Sequence, residues 1–307
     1  MKTVILINMG APSSPREMKI FLRKMFMDKH ILPMRWLGRL FLSRVISNTR
    51  YRKSWQKYLQ IGGSPLKSSC EKIVDQMQLQ LGFDYKVIVA YSYSKPFIKD
   101  VVNELLEKGE SNITVVSMYP QASFSTTRSL MVDVEKANQR RTTISYIPEY
   151  FSHPLFIKFW NNLVLKIKQE AGMKYPTILF SAHSVPEYQI DSGDTYVSAI
   201  HESARLIALS TGLPYEVGFQ SRVGRMEWVG PDTRDVAQKI IKAGNTEILI
   251  VPISFLTENL ETLYDIDREI IPSIVSVGRN LNVRKVSLEG AETQLVELFK
   301  RLILELV

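Results

Sequence analysis

The chain has 307 residues, 45% of them hydrophobic and 23% charged, which suits one large or two ordinary globular domains and excludes a disordered chain. A net charge of +8 favours anionic partners, but the Lys and Arg are scattered and form no recognised binding motif, so nucleic acid is not expected. Cys70 is the only cysteine, which rules out an internal disulfide and any zinc or iron–sulfur centre held by this chain's thiolates alone, and points to a reducing compartment.

The opening run MKTVILINMG predicts a strand over Val4–Asn8 that turns at Gly-Ala-Pro. It is too short to span a bilayer and lacks the layout of a secretory signal; no other stretch reaches about 18 uncharged apolar residues. A soluble, cytoplasmic protein is expected, at most peripheral to the inner membrane. Gly10 fits a backbone lying close to a ligand, or equally an ordinary turn with Ser13 or Ser14 capping the next helix. In Ile31–Lys53, Leu37, Leu40, Phe41, Val45 and Ile46 fall at helical spacing among Arg35, Arg39, Arg44, Arg50, Arg52 and Lys53. Such a basic amphipathic helix rests on a membrane surface, forms the lip of an anionic apolar pocket, or packs on the core with a wet face. IGGSPL (Ile61–Leu66) lacks phosphate-loop spacing and reads as a turn. No Gly-x-Gly-x-x-Gly occurs, which disfavours a dinucleotide enzyme.

Further along, helical patterns over Cys70–Leu81, Lys95–Lys108 and Ser129–Ala137 alternate with strands at Lys86–Tyr91, Ile113–Met118 and Thr143–Ile147. A second series has strands at Thr177–Ser181, Glu216–Gln220, Ile248–Ile253 and Val283–Val286, with helices over His153–Gly172, Thr195–Thr211 and Thr233–Ala243. Nearly continuous apolar strands alternating with helices mean parallel sheets covered on both faces. The expected fold is α/β: two similar Rossmann-like domains, residues 1–150 and 151–307, each a four-stranded parallel sheet flanked by helices, with a cleft between them. The C-terminal helix is allowed to pack back on the first half. VVSMYPQASFSTT (Val115–Thr127) and ILIVPISFLTENLET (Ile248–Thr262) echo one another: strand, Pro, Ser-Phe, then a hydroxyl-rich helix start.

Ligands of open α/β sheets bind beyond the carboxyl ends of the strands, so residues there are the candidates. Of the four histidines, His183 stands at such an end, where it is either a core histidine or a proton acceptor or metal ligand. His30 is left open, and His153 and His201 read as structural. Glu261, Asp265 and Glu269 recur at i, i+4 and i+8, which on an α-helix makes either a solvated acidic face or a ladder of oxygen ligands and proton acceptors. Ser125, Thr126 and Thr127 read as helix caps, with Arg128 available to a ligand carboxylate. The loop QSRVGRMEWVGP, with Gly224, Gly230, Met226 and Trp228, lines a flat ligand's pocket or fills core beneath a loop.

Taken in order, LINMGAP, YLQIGGSPL, MYPQASFSTT, LFSAHSVP with IDSGDTY, QSRVGRMEWVGPDT and VPISFLTENLETLYDID resemble the ferrochelatase family over most of the chain. The resemblance implies a lyase that inserts Fe(II) into a porphyrin bound in the cleft, protoporphyrin IX giving protohaem in haem biosynthesis. It implies no organic cofactor, with ferrous iron as substrate; the cysteine-bound cluster of some members is not expected here. Its alternatives are coproporphyrin III as substrate, removal of iron from haem, or a non-catalytic porphyrin carrier, which would have no use for a carboxylate ladder. Carried over by motif, His183 and Glu261 are the catalytic pair, and His183, Glu261, Asp265 and Glu269 the metal path. Met9 faces the macrocycle's other side, and Ser123, Thr126, Arg128, Ser181, Trp228 and Asn259 are porphyrin contacts. Asn259 departs from the family pattern, which usually has a histidine there. Peripheral membrane contact through Ile31–Lys53 and a monomer or homodimer are both compatible with the resemblance.

Overall fold

A computed structural model describes residues 1–222 and 226–306. Gly224 of the predicted loop lies outside them. The chain divides into an N-terminal unit, Met1–Glu149 joined by the C-terminal segment from Glu292, and a C-terminal unit, Tyr150–Ala291.

The N-terminal unit runs β1 (Lys2–Asn8), α1 (Pro15–Met27), α2 (Trp36–Gln60), α3 (Leu66–Leu81), β2 (Tyr85–Tyr91), α4 (Ile98–Glu107), β3 (Ile113–Ser117), a π-helical turn (Phe124–Arg128), α5 (Ser129–Asn138) and β4 (Ile144–Ile147). The C-terminal unit runs α6 (Pro154–Glu170), β5 (Thr177–His183), α7 (Glu187–Asp191), α8 (Tyr196–Thr211), β6 (Tyr215–Gln220), α9 (Thr233–Lys242), β7 (Glu247–Val251), a π-helix (Glu261–Ile270), α10 (Ile271–Val275) and β8 (Asn282–Lys285). The last helix, α11 (Glu292–Leu306), packs on α3 and so belongs to the N-terminal unit.

Both sheets are four-stranded and wholly parallel, with orders β2-β1-β3-β4 and β6-β5-β7-β8. These are the two expected α/β sheets, and their orders match strand for strand. Burial on both faces explains the unbroken apolar runs: Ile5, Leu6 and Ile7 in β1 and Ile178, Leu179 and Phe180 in β5 are fully buried. Separate cores lie against each sheet, one around Ile7, Val102, Val115 and Leu130, the other around Leu179, Ile240, Ile250 and Ile266.

Ser14 is the cap that starts α1, its hydroxyl accepting the Glu17 N–H at 3.2 Å with Pro15 next in line. Gly10 has a local explanation: its φ is +86°, and a Cβ there would stand 2.1 Å from Ser94 Oγ and 2.9 Å from Tyr91 Cβ. The basic amphipathic helix starts at Trp36 and runs on to Gln60, leaving Pro33 and the residues around it outside. Its buried positions are Ser43, Ser47 and Tyr58, whereas Leu37 and Phe41 are each 70% exposed. The helix packs on α1 through its Ser43 and Ser47 face, but Leu37 and Phe41 are not part of that packing. No helix among the described residues is long and apolar enough to cross a membrane. Cys70 is fully buried on α3 beside Met118, and burial pushes its thiol up to about 12, so it is not a nucleophile.

Candidate active site

The C-terminal unit brings its candidate residues to the carboxyl ends of β5, β6 and β7. His183 is the last residue of β5, paired in register with Gln220 at the end of β6. Six residues of β5 are buried and the seventh, His183, is only half-buried, so the strand delivers the imidazole to the point where the sheet meets solvent. Its ring is fixed by Nδ1, 2.6 Å from the Ser184 carbonyl. A carbonyl only accepts, so Nδ1 carries the hydrogen and the lone pair of the neutral ring lies on Nε2. The backbone is held as firmly. The His183 N–H donates to Ser254 Oγ at 3.1 Å, and the Tyr196 hydroxyl donates to the His183 carbonyl at 3.0 Å, while Tyr196 and Ser254 are 2.6 Å apart. Burial raises the Tyr196 phenol well above its usual range, so it remains a donor. Phe255 meets the imidazole edge-on, with 6.5 Å between ring centres.

Glu261 opens the helix that follows β7. Gln220 reaches it through a hydrogen bond from Nε2 to the Glu261 carbonyl, 3.4 Å, which links the strand end beside His183 to the first turn of the acidic helix. That helix is π over Glu261–Ile270, as the 5-residue bond from the Ile271 N–H to the Ile266 carbonyl marks. The expected α-helical stacking of Glu261, Asp265 and Glu269 is thus corrected. A residue four on falls just past one α-turn but short of a full π-turn, so the row leans the opposite way round the helix. Each rung meets the β6–α9 side differently. Asp265 accepts from Ser221 Oγ at 2.6 Å, and Glu269 lies 3.9 Å from the Arg234 guanidinium. The carboxylates are strung along the helix. Among the described residues no three His, Cys, Asp or Glu side chains converge as a metal-ligand group, so the four expected ligands do not form one preassembled centre.

Asn259 is buried and its amide is engaged: Oδ1 accepts the Thr262 N–H at 3.0 Å, while Thr262 Oγ1 accepts the Asn259 N–H at 3.0 Å. This reciprocal cap starts the helix. In this structure its side-chain amide serves that cap. Ser181 stands two residues before His183 on β5. It is fully buried, donating to Gln220 Oε1 at 2.5 Å and lying 2.9 Å from Thr233 Oγ1, so it orients Gln220 from behind. Trp228 is half-buried and lines an open depression of about 460 Å³ with Glu187, Arg222, Met226 and Glu227.

In the N-terminal unit, Met9 is half-buried just after β1 and packs against that unit's core. Ser123, expected at the porphyrin, is buried and caps the π-turn, accepting the Ser125 N–H at 3.3 Å. Thr126 is half-buried within that turn. Arg128 is exposed, its guanidinium 4.6 Å from the centre of the Phe124 ring. His30 is tied down by its own N–H, which donates to Asp28 Oδ1 at 2.8 Å. Sequence reasoning missed Tyr196, Ser254, Gln220 and Ser221. Gln220, Ser221 and Ser254 carried a signal, standing at or just past a predicted strand end like His183, whereas Tyr196 did not.

The ferrochelatase family model matches residues 1–306. The chain belongs to the ferrochelatase family. It is 34% identical over 274 residues to a ferrochelatase of Aquifex aeolicus, covering 87% of each chain. Against a ferrochelatase of Citrifermentans bemidjiense it is 33% identical over 298 residues, covering 94% of this chain and 93% of the relative. Among solved structures, SirB from Bacillus subtilis with Fe3+ covers 100% of this chain and 96% of its own at a TM-score of 0.61 and 13% identity, a likeness of fold. Ferrochelatases are lyases that put a metal ion into a porphyrin, and porphyrin and metal ion are the substrates of this family.

Proposed function

We propose that this chain inserts Fe(II) into protoporphyrin IX to give protohaem, with His183 as the group that takes a pyrrole proton or first ligates the iron. The observation that carries the reading is the His183 ring: Nδ1 is committed to the Ser184 carbonyl, which leaves the Nε2 lone pair as the reactive one. Insertion requires removal of two pyrrole protons and stripping of water from the ion. A fixed neutral imidazole at a strand's end does the first and shares the second. Glu261 is read as the partner that takes the second proton, and Asp265 and Glu269 as rungs that pass metal or protons along the helix. Their spread along the helix suits transit rather than tight binding. No organic cofactor is invoked. By motif, Met9, Ser123, Thr126, Arg128, Ser181, Trp228 and Asn259 are read as porphyrin contacts, Arg128 pairing with a propionate.

The exposed apolar stripe of Leu37, Phe41 and Val45 on α2, flanked by Arg35, Arg39 and Arg44, supports peripheral contact with an anionic membrane. Sedimentation with anionic vesicles tests it. Binding by wild type and its loss in a Leu37→Ser/Phe41→Ser variant is expected; equal behaviour of the two removes the contact.

The activity is tested by mixing purified protein anaerobically with Fe(II), or with Zn(II), and protoporphyrin or coproporphyrin. A metalloporphyrin absorption change is expected, fastest with protoporphyrin. Faster coproporphyrin turnover reassigns the substrate, release of iron from haem reassigns the direction, and tight porphyrin binding without metallation leaves a carrier.

A further inference from the structure

Beneath the acidic helix lies a buried ion cluster that the chemistry above does not use. Lys285, the last residue of β8, keeps only 7% of its side chain exposed. Its ammonium donates to Glu258 Oε2 at 3.1 Å, to the Thr262 carbonyl at 3.2 Å and to Asp267 Oδ2 at 2.7 Å. All three of its hydrogens are thereby used. Glu258, as buried as the lysine, also accepts the Leu288 N–H at 3.0 Å, the Ser287 hydroxyl at 3.3 Å and the Thr262 hydroxyl. Burial raises the Asp267 carboxyl above its ordinary range, with Lys285 opposing the rise.

Three features make this cluster more than a tether. Its acceptors come from one short segment, just before the π-helix, in its first turn and past its middle. One of them, the Thr262 carbonyl, belongs to the helical ladder itself. A buried ion cluster is also poor value as stability alone, because desolvation offsets most of its attraction, so its use is to specify one geometry. A π-helix needs such a specifier, since it is rare and occurs mostly as single-turn bulges inside α-helices.

We propose that Lys285 is a positioning residue that locks residues 258–267 in the π form and so fixes where the Glu261 and Asp265 carboxylates stand. This rests on the chelatase reading for its catalytic consequence, but not for its structural one. Without the lysine the segment relaxes toward α spacing, and the acidic row swings round the helix relative to the strand end that carries His183.

The test uses the charge-matched double variant Lys285→Met/Glu258→Gln, which leaves no lone buried charge between those two positions, and the milder Asp267→Asn should the double variant not fold. Hydrogen exchange of the peptide spanning 261–270 is followed in the protein without porphyrin or metal. Protection is expected to fall sharply in the double variant and partly in Asp267→Asn; unchanged protection in the folded variant overturns the proposal. Where wild type turns over, kcat is expected to fall about 10- to 100-fold, with the porphyrin KM within about twofold of wild type and with Lys285→Arg recovering part of the loss. An unchanged kcat, or a rise in KM matching the fall in kcat, overturns the positioning role. If wild type shows no metallation at all, the chelatase reading fails by itself and the exchange measurement still decides the lock.

Discussion

The two units share one backbone plan and put different chemistry on it. In each, the second strand from the edge ends beside the last residue of the edge strand: Asn8 beside Tyr91 in the first unit, His183 beside Gln220 in the second. In each, the strand on the other side leads into a π-helical segment, Phe124–Arg128 or Glu261–Ile270. In the first unit the strand end is a neutral amide, whose Oδ1 accepts the Gly10 N–H and the Tyr119 hydroxyl, both at 3.2 Å. The π-segment there is five residues of Phe, Ser, Thr and Arg. In the second unit the strand end is an imidazole and the π-helix is twice as long and acidic. The fold thus fixes where a reactive side chain can stand, and the residue placed there decides whether the position binds or reacts.

The sharpest way to break this comparison is to strip both strand ends. His183→Ala is expected to lower kcat for metallation by about 10²- to 10⁴-fold with little change in Tm. Asn8→Ala should do the reverse, costing about 1–3 kcal/mol by orphaning its buried donors and keeping most of the turnover. Equal losses of turnover in both would sink the division of labour. Next in size is Gly10→Ala, where a positive φ and the contact with Ser94 together predict a loss of about 2–4 kcal/mol in a denaturant titration. The C-terminal counterpart of that turn contains no such glycine.

Ser221 sharpens the comparison further. It holds a φ of +65° while its hydroxyl donates to Asp265. Glycine there relieves the backbone but deletes the donor. The two effects are expected to cancel in stability to within about 1 kcal/mol, while the metallation rate falls several-fold. A rate equal to wild type would remove Asp265 from the metal path. The smallest effect belongs to His30 of the first unit, whose pKa burial lowers from 6.5, with Asp28 opposing and Lys29, Arg128 and Lys136 reinforcing. The folded state resists protonation more than the unfolded chain does. Stability from this group is therefore whole above the unfolded value and lost as pH falls through the lowered one. Thermal melts of His30→Gln below pH 6.5 should show a shallower decline than wild type; parallel curves would assign the acid sensitivity elsewhere.

How far the sequence reached follows from how far apart the interacting residues lie. The inner strands β1, β3, β5 and β7 were legible because double-sided burial leaves unbroken apolar runs, and His183 and the acidic row because they lie at and beyond the ends of two of those runs. The echo between Val115–Thr127 and Ile248–Thr262 was legible too, and it marks equivalent strands. The π form was hidden, because i, i+4 spacing reads as α and the cluster around Lys285 joins residues 18 to 27 positions apart. The pairing of Tyr196 and Ser254 with His183 was hidden for the same reason: those bonds span 13 and 71 positions. The hydrogen bonds of Ser181 to Gln220 and of Asn259 to Thr262 were not legible either, since a motif gives a residue's place in the chain and not the direction of its side chain.

The last helix carries a consequence for how the molecule is made. α11 buries Leu295, Val296, Phe299 and Ile303 in the unit whose other elements end at Glu149. A ribosome therefore releases the whole C-terminal unit before it supplies the strip that covers α3. During synthesis the first-made unit waits with an apolar helix face open, while the second can close as soon as it emerges. The order of completion is the reverse of the order of synthesis, and nascent chains halted near residue 291 should bind chaperones through the older half.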